Sequence, residues 1–326
     1  MTQAAPFAEI WRGPFLESVH SGHAVVCDSS GQILQTWGDP DTVILPRSSA
    51  KMIQALPLIQ SGAADAYGLE PRHLALACAS HQAADLHVGI ISDWLKTLGL
   101  DDSAFRCGTA LPGDEAARNA LVCSDTQPCQ IHHECSGKHA GFLTVNTHMG
   151  AGADYEKPDH PVQRACLEAF ERVTGTTSPG FGIDGCSVPN FATTLHGMAR
   201  AMAHFAAAPD GSAEARLHQA MRLHPDLVAG ETRACTNLMR AMNGKVALKT
   251  GAEGFFIAIL PDQNIGVALK AACGTKRAAE CAITSILVKL GALDPNHPEA
   301  LKYRNAPIEN RRGIITGTLK PAAGFA

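Results

Sequence analysis

Two short motifs place a possible nucleophile beside an amine. Ser48-Ser-Ala-Lys51 is an S-x-x-K just after Pro46. On a helix, residues i and i+3 share a face, so the lysine amine can reach the serine oxygen, and the positive helix start favours an alkoxide there. A lysine serves as a base only where burial or a nearby cation disfavours its charged form, and Arg47 stands next to the serine. The second motif, Lys249-Thr-Gly251, ends a β-prone run and continues Ala-Glu253-Gly. A lysine at a strand end can polarise another hydroxyl or bind a carboxylate, and glycine lets a substrate approach the backbone. Between them, Cys78-Ala-Ser80-His81 offers Ser80 as that second hydroxyl. Taken singly, each motif is also an ordinary helix start, strand end or packed small-residue run.

A third segment, His132-His-Glu-Cys135-Ser-Gly-Lys138-His139, concentrates titratable and soft-ligand side chains, and Asp184-Gly-Cys186 adds a further thiol about 50 residues on. Two thiolates would suit Zn²⁺, with lysine, histidine or water completing a tetrahedron. Free thiols with surface histidines, and a Cys135/His139 nucleophile pair, are the other readings of these residues.

The elements that must position these residues follow from periodicity and turn chemistry. His23–Cys27 and Gln32–Thr36 are β-prone runs joined by Asp28-Ser-Ser-Gly31, a hairpin. After the short strand Val43–Leu45, Pro46 opens a helix with Met52, Leu56 and Ile59 on one face, and Pro57 predicts a kink near Ile53 or an early end. From about 62 to 240 the pattern is Ala-rich and mostly helical, including Asp85–Leu98, His160–Val173 (with Asp159 as its cap) and Phe191–Ala208. Strands return at Lys245–Thr250, Gly254–Leu260 and Ile265–Ala271, followed by a helix at about Arg277–Leu293. These runs imply an α/β (α+β) protein. One antiparallel sheet is assembled from both chain ends (1–61 and 241–326), with flanking helices and a mainly helical insert over 62–240. Active sites commonly lie where two such parts meet.

Composition narrows the function classes. The chain has 326 residues, 45% of them hydrophobic, which is enough for a sizeable core without disulfide staples. With 27 Lys+Arg against 31 Asp+Glu, the net charge is -4, and no basic run suggests nucleic acid or an anionic membrane as partner. Eleven cysteines, an odd number, and an N-terminus without a basic-then-apolar leader lead us to expect reduced thiols in the cytoplasm. No apolar stretch approaches a membrane span. The expected partner is a small molecule.

In their order, Arg47-Ser48-Ser-Ala-Lys51, Cys78-Ala-Ser80-His81, Cys135-Ser-Gly-Lys138-His139-Ala-Gly, Asp184-Gly-Cys186, Val228-Ala-Gly230 and Lys249-x-Gly-Ala resemble the Rhizobium-type (class 3, thermolabile) L-asparaginases over nearly the whole chain. S-x-x-K followed late by K-T-G is likewise the order seen in penicillin-recognising serine enzymes. The resemblance implies a serine-β-lactamase-like fold, a homodimer, and hydrolysis of L-asparagine to L-aspartate and ammonia. It implies two Ser-Lys tandems, Ser48 with Lys51 and Ser80 with Lys249, and a zinc ion near them on Cys135, Cys186 and Lys138, not essential to the chemistry. Arg47, His139, Asp184 and Glu253 are the expected substrate contacts, with Glu253 standing where some relatives carry Asp. The alternatives are a serine glutaminase or other amide hydrolase of the same fold, and a non-catalytic zinc- or thiol-responsive binding protein.

Overall fold

A computed structural model describes residues 3–325. In chain order its strands are β1 (Ala5–Arg12), β2 (Phe15–Asp28), β3 (Ile33–Trp37), β4 (Val43–Ile44), β5 (Phe181–Ile183), β6 (Pro189–Phe191), β7 (Thr193–Thr194), β8 (Ala247–Gly251), β9 (Phe255–Leu260), β10 (Ile265–Ala271), β11 (Ala306–Glu309) and β12 (Ile315–Pro321). The chain divides into two compact units.

The first unit comprises the chain up to Ser49, Thr193–Ala207 and everything from Asn237 on. It contains an eight-stranded sheet in the order β11-β12-β1-β2-β10-β9-β8, with β3 also paired to β2. Every pairing is antiparallel, and β10 joins the two ends of the chain by running beside β2 from Ile265 opposite Asp28 to Ala271 opposite Gly22. Every residue of β9 is buried, as expected of a strand covered on both faces. The cover is the helices Leu195–Ala206 and Lys276–Lys289, both of which pack on β9 and β10. β8, which carries Lys249, ends the sheet on one side.

The second unit, Ala50–Ala192 with Ala208–Thr236, is mainly helical. At its centre is the helix Ser136–Met149, buried on every residue from Ser136 to Asn146. A helix that is apolar or buried all round belongs inside a bundle. It is flanked by Pro71–Ala77, Asp85–Thr97 and Pro161–Thr174. Trp94 Nε1 donates to Thr144 Oγ1 at 3.0 Å and so fixes one of these contacts.

The expected α/β architecture, with an antiparallel sheet drawn from both chain ends, is the one observed. The boundaries 1–61, 62–240 and 241–326 are corrected. The first break falls between Ser49 and Ala50, inside the S-x-x-K motif, and Thr193–Ala207 belongs with the sheet. The reason is packing. Gly266 lets the helix Leu195–Ala206 lie on β10, where it meets the backbone of Ala199 and Ala203. The helix predicted after Pro46 begins as a 3₁₀ turn, Arg47–Ala50, continues as Lys51–Gln54 and restarts at Leu56–Gln60 with Pro57 in its first turn, the early end that this proline implies. The cap of Pro161–Thr174 is the His160 imidazole, which accepts from the Val162 N–H, and not Asp159. Among the described residues no helix is long and apolar enough to cross a membrane.

Candidate active site

The first unit sets the Ser48 turn against the lysine strand. Ser49, fully buried, donates its hydroxyl to the Lys249 carbonyl at 3.0 Å. Gly251 is what allows the approach, since a Cβ there would lie 2.7 Å from the Pro46 carbonyl oxygen and 3.0 Å from Ser49 Oγ. Gly251→Ala is therefore expected to push the turn from the strand and to lower kcat/KM by about 10-fold or more; a steady-state assay beside a melting curve checks it. Ser48 itself is half-buried. Lys249 is wholly buried, and its amine donates to the Thr250 carbonyl at 2.7 Å. Arg47 and Glu253, both non-glycine, hold left-handed backbone with φ of 52° and 59°. Such strain persists only where the surroundings impose it, and it gathers at functional sites.

The second unit gathers Lys51, Ser80, Cys135, Lys138, His139 and Cys186. Lys51 is buried, and its amine lies within hydrogen-bond distance of Ser80 Oγ at 3.0 Å, of Cys135 Sγ at 3.1 Å and of the Ala79 carbonyl. The resemblance paired Lys51 with Ser48; within this unit the bond that the amine makes to a serine goes to Ser80. The Ser80 segment is pinned by its own N–H to the Val228 carbonyl at 2.9 Å and by His81. Ser136 Oγ gives its proton to the Ile131 carbonyl, so the 3.0 Å contact with His81 Nε2 has the imidazole as donor, while His81 Nδ1 accepts from the Ala83 N–H. Burial, with His87 and Lys51 adding to it, holds the His81 pKa well below the ordinary value and keeps the ring neutral. Gly137 lets the helix Ser136–Met149 press on the Leu76 carbonyl. That contact brings Cys135 and Lys138 to the Ser80 segment.

Cys135 and Cys186 share a hydrogen bond. Donating in that bond, together with burial, holds Cys135 protonated with its pKa raised. Accepting it, with the Lys138 ammonium beside it, lowers the pKa of Cys186 and favours its thiolate. Lys138 Nζ lies 3.0 Å from Cys186 Sγ. Burial disfavours the Lys138 ammonium, but the Cys186 and Cys135 sulfurs outweigh it and raise its pKa above the lysine value. The turn between β5 and β6 presents Cys186, with Asp184 half-buried beside it and acting on Lys138.

These residues fit zinc by their donor set: two sulfurs and one amine, all buried, with the amine 3.0 Å from the Cys186 sulfur. Binding would displace the shared thiol proton and require Lys138 to lose its own. His133, Glu134 and Cys135 also offer ligand atoms within 4.8 Å of one another, so Cys135 is common to both sets.

His139, expected to touch substrate, is fully buried. Its Nδ1 is 2.8 Å from the Tyr155 hydroxyl, and burial pushes its pKa down to about 4. It supports the packing around Cys186 and Lys138 and faces no solvent. The sequence reading missed Tyr155, which has no motif around it, and the anchoring role of His81, whose signal was its place next to Ser80.

Comparison with known proteins gives a family and distant structural likenesses. Curated proteins give no match. Among solved structures, the chain is similar to Mglu in its tris and glutamate form, at 10% identity over 83% of this chain and 59% of that chain, with a TM-score of 0.48. It thus spans little more than half the length of that protein. A β-lactamase from Mycobacterium bovis matches at 14% identity over 82% of this chain and 94% of that one, with a TM-score of 0.46. The Bacillus subtilis glutaminase YbgJ, covalently bound to 5-oxo-L-norleucine, matches at 14% over 87% and 93%, with a TM-score of 0.38. Likenesses this distant assign no substrate. The family model for L-asparaginase II matches residues 8–321, a span that takes in all of the motifs above. By that match the chain belongs to the L-asparaginase II family.

Proposed function

We propose that the protein hydrolyses L-asparagine to L-aspartate and ammonia through an ester on Ser48. The observation that carries the reading is the buried Lys51 amine, three residues after Ser48 and hydrogen-bonded to Ser80 at 3.0 Å. Ser48 Oγ attacks the side-chain amide carbon as Lys51 takes its proton, and backbone N–H groups of the Arg47–Ala50 turn stabilise the oxyanion. Lys51 returns that proton to the nitrogen, ammonia leaves, and a β-aspartyl ester remains. Water then gives a proton to Lys51 and attacks the ester carbon; Ser48 leaves and recovers the proton.

Ser80 aims the Lys51 amine, and Ser80 with Lys249 completes the proposed catalytic set. Arg47, Glu253, Asp184 and His139 are the proposed contacts to the substrate; His139 is fully buried, as Lys249 is. Zinc, when bound to Cys135, Cys186 and Lys138, would supply a fixed positive charge close to the hydrogen bonds of Lys51. Protein purified without added metal is expected to carry about one equivalent by elemental analysis, and less than about a tenth would remove zinc from the proposal. A cytoplasmic, reducing location belongs to the same proposal, because an odd number of cysteines spread through a long chain suits reduced side chains. A homodimer is part of the same proposal, to be checked by light scattering.

Ammonia release from L-asparagine and L-glutamine, measured side by side, tests the reading. Asparagine is expected to be preferred by about 10-fold or more in kcat/KM, the scale that one methylene provides. Equal or better turnover of glutamine would replace the substrate, and turnover of neither would replace the function.

A further inference from the structure

Beyond the serines and lysines of the proposed reaction, the end of β10 in the first unit gathers a second cluster of reactive side chains. The β2–β10 ladder runs one bond past β10, with the Ala272 N–H on the Ser21 carbonyl at 2.8 Å, and this extension lays Cys273 beside His20 of β2. Gly274, at φ 73°, then turns the chain through Thr275 into the helix Lys276–Lys289. Cys273 Sγ lies 3.3 Å from His20 Nδ1 and 3.1 Å from Thr275 Oγ1, and Arg277 Nε donates to His20 Nε2 at 3.1 Å. A guanidinium only donates, so Nε2 is the bare nitrogen of a neutral ring and Nδ1 holds the proton that faces the sulfur. Burial and the Arg277 charge lower the His20 pKa, which keeps the ring neutral. His20 is 8% exposed and Cys273 is exposed, so the donor is fixed while the sulfur is open to a reagent. A thiolate there accepts from His20 and Thr275 together, and the thiolate is the nucleophile.

The surroundings discriminate between reagents by charge. Lys276 and Arg277 are exposed on the first turn of their helix, whose start is itself positive, and Lys270 lies close enough to interact with the charge of the sulfur. Of the nearby carboxylates, Glu17 is held by Arg12 at 2.9 Å, and Glu253 lies against Gly274. We propose that Cys273, with His20, Thr275 and Arg277, is a thiol–disulfide exchange site for a small anionic disulfide. The thiolate attacks one sulfur, the new S–S bond forms as that of the reagent breaks, and the leaving thiolate takes the electron pair and then a proton from water. The Cys273 sulfur is oxidised and the released half is reduced; a small thiol reverses the step. The adduct stands next to Gly274, where a Cβ would lie 2.9 Å from the Glu253 carboxylate, so it crowds a proposed substrate contact. That consequence rests on the asparaginase reading above, and the exchange itself does not.

Reduced protein is mixed at neutral pH with oxidised glutathione, an anion, or with cystamine, a dication. Peptide mapping follows the adducts at Cys273 and at Cys123, the other exposed cysteine. With oxidised glutathione Cys273 is expected to react about 10-fold or more faster than Cys123, and at low salt this advantage is about threefold or more larger than with cystamine. Arg277→Met, at an exposed position, is expected to slow Cys273 by about 10-fold and to leave Cys123 and the melting curve unchanged. Equal rates at the two cysteines, an advantage as large with cystamine, or a Cys273 rate indifferent to Arg277→Met overturns the proposal. The modified wild type is expected to have its KM for asparagine raised by about threefold or more and restored by dithiothreitol, with Cys273→Ser unaffected by the same treatment. An unchanged KM removes the link to Glu253. If neither protein turns over asparagine, the asparaginase reading fails, and the mapping still decides the exchange site.

Discussion

Lys51→Met is expected to lower kcat for asparagine hydrolysis by about 1000-fold or more, with Ser48→Ala at least as severe. The lysine handles the proton in both halves of the proposed reaction, so its loss slows ester formation and ester breakdown alike. Because nucleophile and base act as a unit, the double variant is expected to be no slower than the worse single one. Lys51→Arg is not expected to rescue, since guanidinium keeps its proton at any working pH. Methionine fills most of the buried volume of the side chain, so melting curves should stay close to wild type while activity disappears. Ser80→Ala, which removes only the hydroxyl that aims the amine, is expected to cost about 10- to 100-fold. Single-turnover kinetics with ammonia detection checks the series, and a Lys51→Met enzyme within about 10-fold of wild type would move the proton transfer to another group.

Cys186→Ala is expected to destabilise the protein by about 3–5 kcal/mol, the cost of leaving a buried charge without its partner. Lys138 is 2% exposed, and the Cys186 sulfur 3.0 Å away is the group that compensates its ammonium. Cys135 would lose the acceptor of its proton in the same step. Adding Lys138→Met to Cys186→Ala is expected to recover about half of the loss, because the unpaired charge disappears with the lysine. Urea unfolding of the two single variants and the double variant, each with and without a zinc chelator, reads the coupling directly. Additive losses would show that the pair does not act through charge.

The local chemistry was largely legible. The β2–β3 hairpin, the β8–β9–β10 meander and the helices Asp85–Thr97 and Lys276–Lys289 follow from alternation, helical period and turn residues over windows of a few residues. Pro57 gave away the break in the first helix because its ring acts within one turn. What escaped the reading depends on partners far along the chain. β1 and the start of β2 went unassigned, and so did β11 and β12. β1 owes its place to β12, pairing Ile10 with Leu319. Neither segment is distinctive by itself, and edge and neighbour strands acquire their role from what pairs with them.

The same division runs through the candidate site. The order of its motifs, and with it the family, was fixed by residue types at short spacings: Ser48 before Lys51, Ser80 after Cys78, Lys249 before Gly251. Those spacings are covalent, and no tertiary contact can alter them. Which amine meets which hydroxyl was decided by packing: Lys51 reaches Ser80 because the Ser136–Met149 and Pro71–Ala77 helices close on each other at Gly137. Packing also buried His139 under Tyr155. The sequence by itself determined the reactive side chains and their local frames. Their partners, charge states and solvent access came only with the tertiary structure, since burial and hydrogen bonding arise between segments that the chain order keeps apart.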